Sequence, residues 1–495
     1  AAFAFTYDLA KSIVYTRQGN PAWINQNRDG PSGPDRSNDL FFGNASGDPQ
    51  PDWVNLDKVA IPQADEQQQL LTNIIIQSNL HRKPLPRFWF LPSGKKAAVV
   101  MTGDDHAAGG TIGRFDQYLT LSGSHNNATD IADWKAIRGS SYIFPNTPIT
   151  NAQAAAYEAQ GFEIGVHLNT GCANYTQSAL NSFFATQLGD MATTFPGISA
   201  TSTHRTHCIA WSGWSVMAAE EFNHGIYLDA NYYYWPDTWV QNRPGMFTGS
   251  GMPMRFATLN GAMIDCYQVA TQLTDESGIN YTLHINSLLD KATGPEGYYG
   301  VFCANMHTDV NGGTSTAGSD AIIAAAQAKN IPVISAKQML TWLDGRNSSA
   351  FTNLVWNNNI LTFGIDANAQ ARNLKAMLPK RGDSSLVLQS ITRNGNAVTF
   401  TSEMIKGIEY AFFDAASGNY TAIYQTVICT TPTAVLASTS AAVCNGNGPV
   451  SIQLSAATGA APYTIVVNGQ TYTNVTVGTP FITYTPNELS TWNNN

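Results

Sequence analysis

Charge is what this chain of 495 residues has least of: Asp, Glu, Lys and Arg together make up 12% of it, about half the share usual in a soluble domain. Its 26 Lys and Arg are outnumbered by 35 Asp and Glu, for a net charge of −9. That balance argues against non-specific binding to nucleic acid, which needs a basic surface. No apolar run approaches the roughly 18 residues that a membrane span requires. Six cysteines are present, none of them in a C-x-x-C pair, which argues against a zinc ribbon or a thioredoxin-type redox site. Ala1-Ala2-Phe3 offers neither Met nor a basic-then-apolar leader. The start therefore predicts a mature or clipped product, and the end at Ser490–Asn495 is no obvious terminus either.

What is present is core material. Hydrophobic residues make up 43% and aromatic residues 11% of the chain, which excludes a disordered polypeptide. The length predicts about three domains. With so little charge, the surface must be dressed in Asn, Thr, Ser, Gly and Gln, a composition common outside the cell. In an exported chain the cysteines predict three disulfides, and in a cytosolic one buried thiols. The simplest pairing is Cys172–Cys208, Cys266–Cys303 and Cys429–Cys444, one of fifteen connectivities open to six cysteines.

Four stretches follow one another. Residues 1–95 read as a lead-in with an apolar start, a loop-rich run from about Gln18 to Asp52, and a helix from about Gln63 to Ser78. Residues 96–347 alternate short apolar runs with amphipathic segments. Ala97–Met101, Phe162–Val166, Ile226–Leu228, Gly300–Met306 and Ile331–Ile334 predict strands, while Asn151–Gln160 and Ala336–Leu343 predict helices. Strands alternating with helices predict parallel βαβ units, hence an α/β sheet or barrel. Residues 348–428 turn to short strands separated by Gly/Asn turns, predicting an antiparallel β-sandwich. After a Thr/Ser/Ala connector, Thr430–Ser440, residues 429–495 predict a second, smaller, Ig-like β module.

Four predicted strands deliver an Asp or a His at the C-terminal tip, the edge where α/β folds build their sites. The first runs into Gly103-Asp104-Asp105-His106, and the second ends at His167. Asp229 follows Leu228, and His307-Thr308-Asp309 follows Met306. An Asp pair after a strand is commonly a turn or a helix cap, and a strand-end His is commonly structural. Adjacent carboxylates, however, repel unless a cation or a shared proton compensates, and four bland tips together is the less economical reading. The Asp275-Glu276-Ser277 run reads as a surface turn and receives no role.

These residues carry a resemblance. Thr102-Gly103-Asp104-Asp105-His106 resembles the first motif of the polysaccharide deacetylases (the NodB-homology family, carbohydrate esterase family 4). Glu163-Ile164-Gly165-Val166-His167 is similar to the lead into the second motif, and Arg205-Thr206-His207-Cys208 to the third. Asp229 with the aromatics after it resembles the fourth, and Asn305-Met306-His307 the fifth. The resemblance covers residues from about Lys95 to Asn347 and implies a distorted (β/α) barrel followed by β-sandwich domains. It implies Asp104 as general base, Arg205 orienting it, His307 as the acid that protonates the leaving group, and Asp229 tuning His307. It implies Asp105 and His167 as ligands of a divalent metal, usually zinc.

Two positions depart from that pattern. Gly171 stands where the family places a second motif-two His, and His106 replaces the usual Gly. A catalytic zinc takes three protein ligands and an open position, so a third ligand is needed. Asn169, His106, His207 and Cys172 are the candidates, with His207 favoured because it follows Arg205. Tyr232, Trp235 and Trp239 are candidates for stacking on sugar rings; packing in the barrel wall is the alternative. The sequence therefore predicts a secreted or surface-bound, metal-dependent hydrolase that removes acetyl groups from a polysaccharide, with no nucleic-acid partner. Its β modules would serve as spacers, surface anchors or carbohydrate contacts. The competing expectation is a catalytically degenerate, glycan-binding surface adhesin or filament subunit. A metal-free Asp/His hydrolase ranks third.

Overall fold

The computed structural model describes residues 3–30, 33–43, 53–383, 385–426, 433–438 and 449–484. Cys429, Cys444, the two ends of the Thr430–Ser440 connector and the Ser490–Asn495 end lie outside those residues. The chain divides into two compact units, Ala1–Gln425 and Thr426–Asn495.

The first unit is built around a curled sheet of ten strands. Its order is Met254–Ala257, Met263–Gln268, Leu228–Asp229, Thr203–Thr206, Glu163–Leu168, Ser140–Ile143, Ala97–Asp105, Gly300–Asn305 and Thr271–Thr274, with Val333–Ile334 also pairing to Ala97–Asp105. Every pairing is parallel except the Met254–Ala257/Met263–Gln268 hairpin. A parallel bridge between Tyr233, just past strand Leu228–Asp229, and Thr271 of the end strand Thr271–Thr274 shows how far the sheet curls back on itself. The result is a distorted (β/α) barrel. Ala97–Asp105 is buried at every position, as expected of a parallel strand covered on both faces.

The predicted strands and helices are present with small shifts in their ends. The helices are Gln63–Asn79, Asn151–Ala159 and Ala336–Asn347. The first strand runs four residues past Met101, to Asp105, which matters for the site. The hairpin is absent from the sequence reading, although Asn260-Gly261 between its arms is a strong turn signal.

The lead-in packs onto the barrel. Helix Leu9–Gln18 carries Arg17 and helix Gln63–Asn79 carries Asp65, both buried. Asp65 accepts hydrogen bonds from Ser250 Oγ (2.6 Å) and the Gly251 amide (2.8 Å). The Gly249–Met254 run is therefore an anchor for the lead-in. Phe41 meets Tyr232 edge-on, and Phe42 meets Trp239, with ring centroids 6.0 and 5.7 Å apart. The strand Arg87–Phe88 leaves the lead-in to pair with Lys375–Pro379. That pairing completes a four-stranded antiparallel sheet beside a five-stranded one, the predicted β-sandwich.

The second unit is a separate antiparallel β module. It holds a three-stranded sheet (Ala434–Ser438, Val450–Ala457, Pro480–Tyr484) and a two-stranded one (Tyr463–Val467, Gln470–Val475). Among the described residues no helix is long and apolar enough to cross a membrane.

Of the predicted disulfides, Cys172–Cys208 is formed. Cys266 and Cys303 are instead free and buried. Their strands are separated in the sheet, and their side chains belong to different hydrophobic clusters.

Candidate active site

The parallel strands point their C-terminal ends at a cleft of about 320 Å³. It is lined by Asp104, His106, His167, His207 and His307, among others. Strand parity decides which acid reaches it. Successive side chains on a strand point to opposite faces, so Asp104 and Asp105 part company. Asp104 faces the cleft. Asp105 turns to the start of helix Thr111–Leu121, where its carboxylate accepts from the amides of Ala108 (2.8 Å), Gly109 (2.9 Å) and Thr111 (3.1 Å) and from Thr111 Oγ1 (2.8 Å). A carboxylate on the free N–H groups of a helix start is a stabilising cap, and Asp105 is not among the residues lining the cleft.

Asp104 is nearly sealed from water at 3% exposure and held from two sides. Arg205 Nη1 lies 3.4 Å from its Oδ1, and Asn305 Nδ2 donates to its Oδ2 at 2.8 Å. Burial alone would raise its pKa, but Arg205 and the imidazoles of His167, His307 and His106 outweigh it and hold the carboxyl at about 2. Arg205 is fixed in turn by Thr102 Oγ1 and Asn305 Oδ1 (2.7 Å each) and Thr271 Oγ1 (2.8 Å). Its place beside Asp104 is the one the sequence predicted.

His307 stands across the cleft. Its Nδ1 lies 2.8 Å from Asp275 Oδ1, and its amide donates to Asp275 Oδ2 at 2.7 Å. Burial pulls its pKa down, but Asp275, together with Asp104, raises it to about 9. The carboxylate against His307 is therefore Asp275, and the structure does not bring Asp229 to His307. Asp229 is fully buried in a cluster with His204 and Glu221, where His204 Nδ1 lies 2.6 Å from Glu221 Oε1. Burial raises Asp229 well above the usual carboxylate range and Glu221 to about 8, and it lowers His204 to about 4. That cluster is fully buried, away from the residues that line the cleft.

The remaining imidazoles suit a cation. His167 uses Nδ1 against the Arg205 carbonyl at 3.0 Å, while its buried Nε2 has no hydrogen-bond partner. Burial lowers its pKa to about 3, keeping the ring neutral. His106 sets Nδ1 against Asp309 (3.0 Å to Oδ2), and His207 sets Nδ1 3.3 Å from Asn169 Oδ1. Ring centroids are 5.0 Å apart for His106 and His167, 4.9 Å for His106 and His207, and 5.4 Å for His167 and His207. Three imidazoles bound to one tetrahedral cation at about 2.0–2.1 Å per nitrogen have centroids roughly 5 Å apart. The neutral ring of His167, with its unpartnered Nε2, is a ready donor to a cation, although the ligand atoms that already lie within 4.8 Å of one another here are those of His106, His307 and Asp309 and of Cys172, His207 and Cys208, not those of the three rings together. Of the other third-ligand candidates, Cys172 is spent in its disulfide. Asn169 already accepts from the Gly171 amide at 2.7 Å.

The three aromatic candidates separate. Trp235 is half-buried on the cleft, with the Arg36 guanidinium 5.1 Å from its ring. Tyr232 and Trp239 are 0% and 1% exposed beneath Phe41 and Phe42, so the lead-in turns them into core. The sequence reading gave Arg36 no mention and Asp275 and Glu276 no role, and it took Asn305 only as part of the fifth motif and Tyr233 only as one of the aromatics after Asp229. Tyr233 does not touch the base itself but accepts from the Asn305 amide at 2.8 Å. Asp275-Glu276 obeys the strand-tip rule, following strand Thr271–Thr274, but Thr-Gln-Leu-Thr is too short and polar to announce a strand.

No family model and no curated protein matches the chain. Among solved structures, it is similar to a polysaccharide deacetylase from Bacillus cereus, at 12% identity and a TM-score of 0.27, over 48% of this chain and 91% of that one. It is also similar to the carbohydrate deacetylase Agd3, at 7% identity and a TM-score of 0.33, over 76% and 71% of the two chains. A bacterial fucosidase matches at 12% identity and a TM-score of 0.26, over 67% and 94%.

Proposed function

We propose that the cleft removes acetyl groups from an acetylated polysaccharide with the help of a divalent metal, zinc in the first instance. The observation that carries this reading is a division of protonation states across one cavity. Asp104 is ionised and Arg205-bound, His307 is protonated and Asp275-bound, and His167, with its unpartnered Nε2, lines the same cleft.

His167, His207 and His106 would hold the cation once their rings turn to bring a nitrogen of each to one point, with His106 taking the place first given to Asp105. The cation would supply Lewis acidity toward the acetyl carbonyl oxygen and the negative charge that develops there. Asp104 accepts the proton of the attacking water. Arg205 and Asn305 keep its lone pairs aimed and its charge in place. His307 Nε2 delivers a proton to the departing amine or alkoxide, while Asp275 stabilises the imidazolium until that moment. Trp235, half-exposed on the rim, offers a ring face to a sugar. The chain's low charge and its disulfide fit an exported protein, and the β modules would act outside the cell as spacers or glycan contacts.

The test is metal content and acetate release from an acetylated glycan. Purified protein should hold about one divalent metal per chain. Asp104→Asn should abolish release and keep the metal, and an Asp104→Asn protein with wild-type activity overturns the assignment.

A further inference from the structure

His207 is the one imidazole of the cleft that is not anchored by a carboxylate or a backbone carbonyl. The parallel pairing of Glu163–Leu168 with Thr203–Thr206 stops at Leu168 and Thr206. His207 is the next residue, and the Cys172–Cys208 bridge closes immediately beyond it. The bridge joins a residue four past the end of one strand to a residue two past the end of the other, and that mismatch is absorbed by bent backbone. Gly171, Cys172, Cys208 and Ile209 all have positive φ, at 71°, 51°, 59° and 47°. The last three carry a Cβ, which disfavours this region, so the loop needs a constraint to stay there. The imidazole of His207 lies against both sulfurs, with Nδ1 3.6 Å from Cys172 Sγ and Nε2 3.8 Å from Cys208 Sγ. From outside, Arg36 Nε donates to the Cys208 carbonyl at 3.1 Å.

We propose that the Cys172–Cys208 disulfide is the positioning element of His207, so that the cleft's hold on a divalent cation depends on the redox state of this bridge. The inference rests on the reading of the cleft as a metal site. Both cysteines are half-exposed, so a reductant reaches them. With a water-soluble phosphine, the S–S bond breaks and takes up two electrons and two protons to give two thiols, while the phosphine gains the oxygen of one water and leaves as its oxide. Freed from the bridge, Cys208 and Ile209 relax out of the left-handed region and His207 leaves the ring cluster.

The test uses the full chain stripped of metal, with zinc affinity read by competition against a chromophoric chelator. Two forms are compared with the oxidised protein: the Cys172→Ser/Cys208→Ser variant, and wild-type protein reduced natively, alkylated with iodoacetamide and desalted. Zinc affinity should fall at least tenfold in both, with far-UV circular dichroism unchanged. If the serine variant fails to fold, the alkylated protein carries the measurement. Adding His207→Ala to the serine pair should cost no more than His207→Ala alone, because the bridge acts through that residue. Affinity within twofold of the oxidised protein, or full additivity with His207→Ala, overturns this inference alone. An oxidised wild-type protein that binds no zinc overturns the metal reading and this inference with it.

Discussion

Replacing Asp275 by Asn changes one charge in the cleft and leaves the shape of the side chain. In the wild-type protein Asp275 Oδ1 lies 2.8 Å from His307 Nδ1, and Asp275, with Asp104 and Glu276, raises the imidazole from 6.5 to about 9 against the pull of burial. That rise corresponds to roughly 3 kcal/mol, in line with the ~4 kcal/mol of two unit charges 4 Å apart at an effective dielectric of 20. The substituted amide loses the charge and one of the two acceptor oxygens that His307 uses, and burial then pulls His307 back toward its ordinary value against Asp104 and Glu276. At pH 8 the protonated fraction falls from about 0.9 to about 0.03, so kcat/KM for acetate release should drop about 30-fold. At pH 5.5 both proteins are protonated and their activities should converge. A two-dimensional NMR titration of the metal-free proteins should show the imidazole titrating near 9 in the wild type and near 6.5 in the variant. The sign for stability agrees: a pKa raised on folding stabilises fully below about 6.5, and that contribution is lost as pH rises through about 9. Asp229→Asn should leave the alkaline limb where it is. A pH-independent loss of activity in Asp275→Asn, with the alkaline limb unmoved, would refute the assignment of His307 as the acid.

Asp105→Ala removes the acceptor of three buried or part-buried amides and one hydroxyl. It should cost roughly 3–5 kcal/mol of stability in denaturant titrations, while the folded fraction keeps its metal; lost metal at unchanged stability would count against the cap. Asp309→Asn removes the carboxylate behind His106 and should weaken zinc binding about ten- to a hundredfold in a chelator competition. Unchanged affinity would take His106 out of the ligand set.

The barrel was legible because Ala97–Met101, Ile164–Val166 and Val301–Ala304 are short apolar runs within strands buried on both faces. The tip rule then found Asp104, His167 and His307. What the sequence concealed was direction. Reading the first strand as ending at Met101 left Asp104 and Asp105 as loop neighbours, both free to face one ion. With the strand running to Asp105, alternation assigns one carboxylate to the cleft and the other to the helix start. The burial of Tyr232 and Trp239 was equally hidden, because Phe41 and Phe42 cover them from far upstream in the chain, and no local pattern records a contact of that range. Thr271–Thr274 escaped for a third reason. A polar strand whose threonines serve Arg205 and Tyr233 does not have the composition of a core strand, so the acid at its tip was read as a turn.

The four imidazoles show how a chain so poor in charge builds a reactive site. Each commits Nδ1 to one acceptor, and the acceptor sorts the rings. The two set against carboxylates, His106 with Asp309 and His307 with Asp275, have raised pKa values. The two set against neutral oxygens, His167 with a backbone carbonyl and His207 with Asn169, are lowered by burial. A neutral ring is ready to bind a cation, and a charged one is ready to give up a proton. His106 sits at the border: with Asp309 behind it, it exchanges a proton for a cation, which is how carboxylate-backed histidines serve metals. Metal uptake by the cleft should therefore release protons, and calorimetric titration of zinc in two buffers of different ionisation enthalpy measures that release. With Asp309→Asn the release should shrink along with the affinity, because the carboxylate that favours the proton on His106 is the same one that orients the ring for the ion.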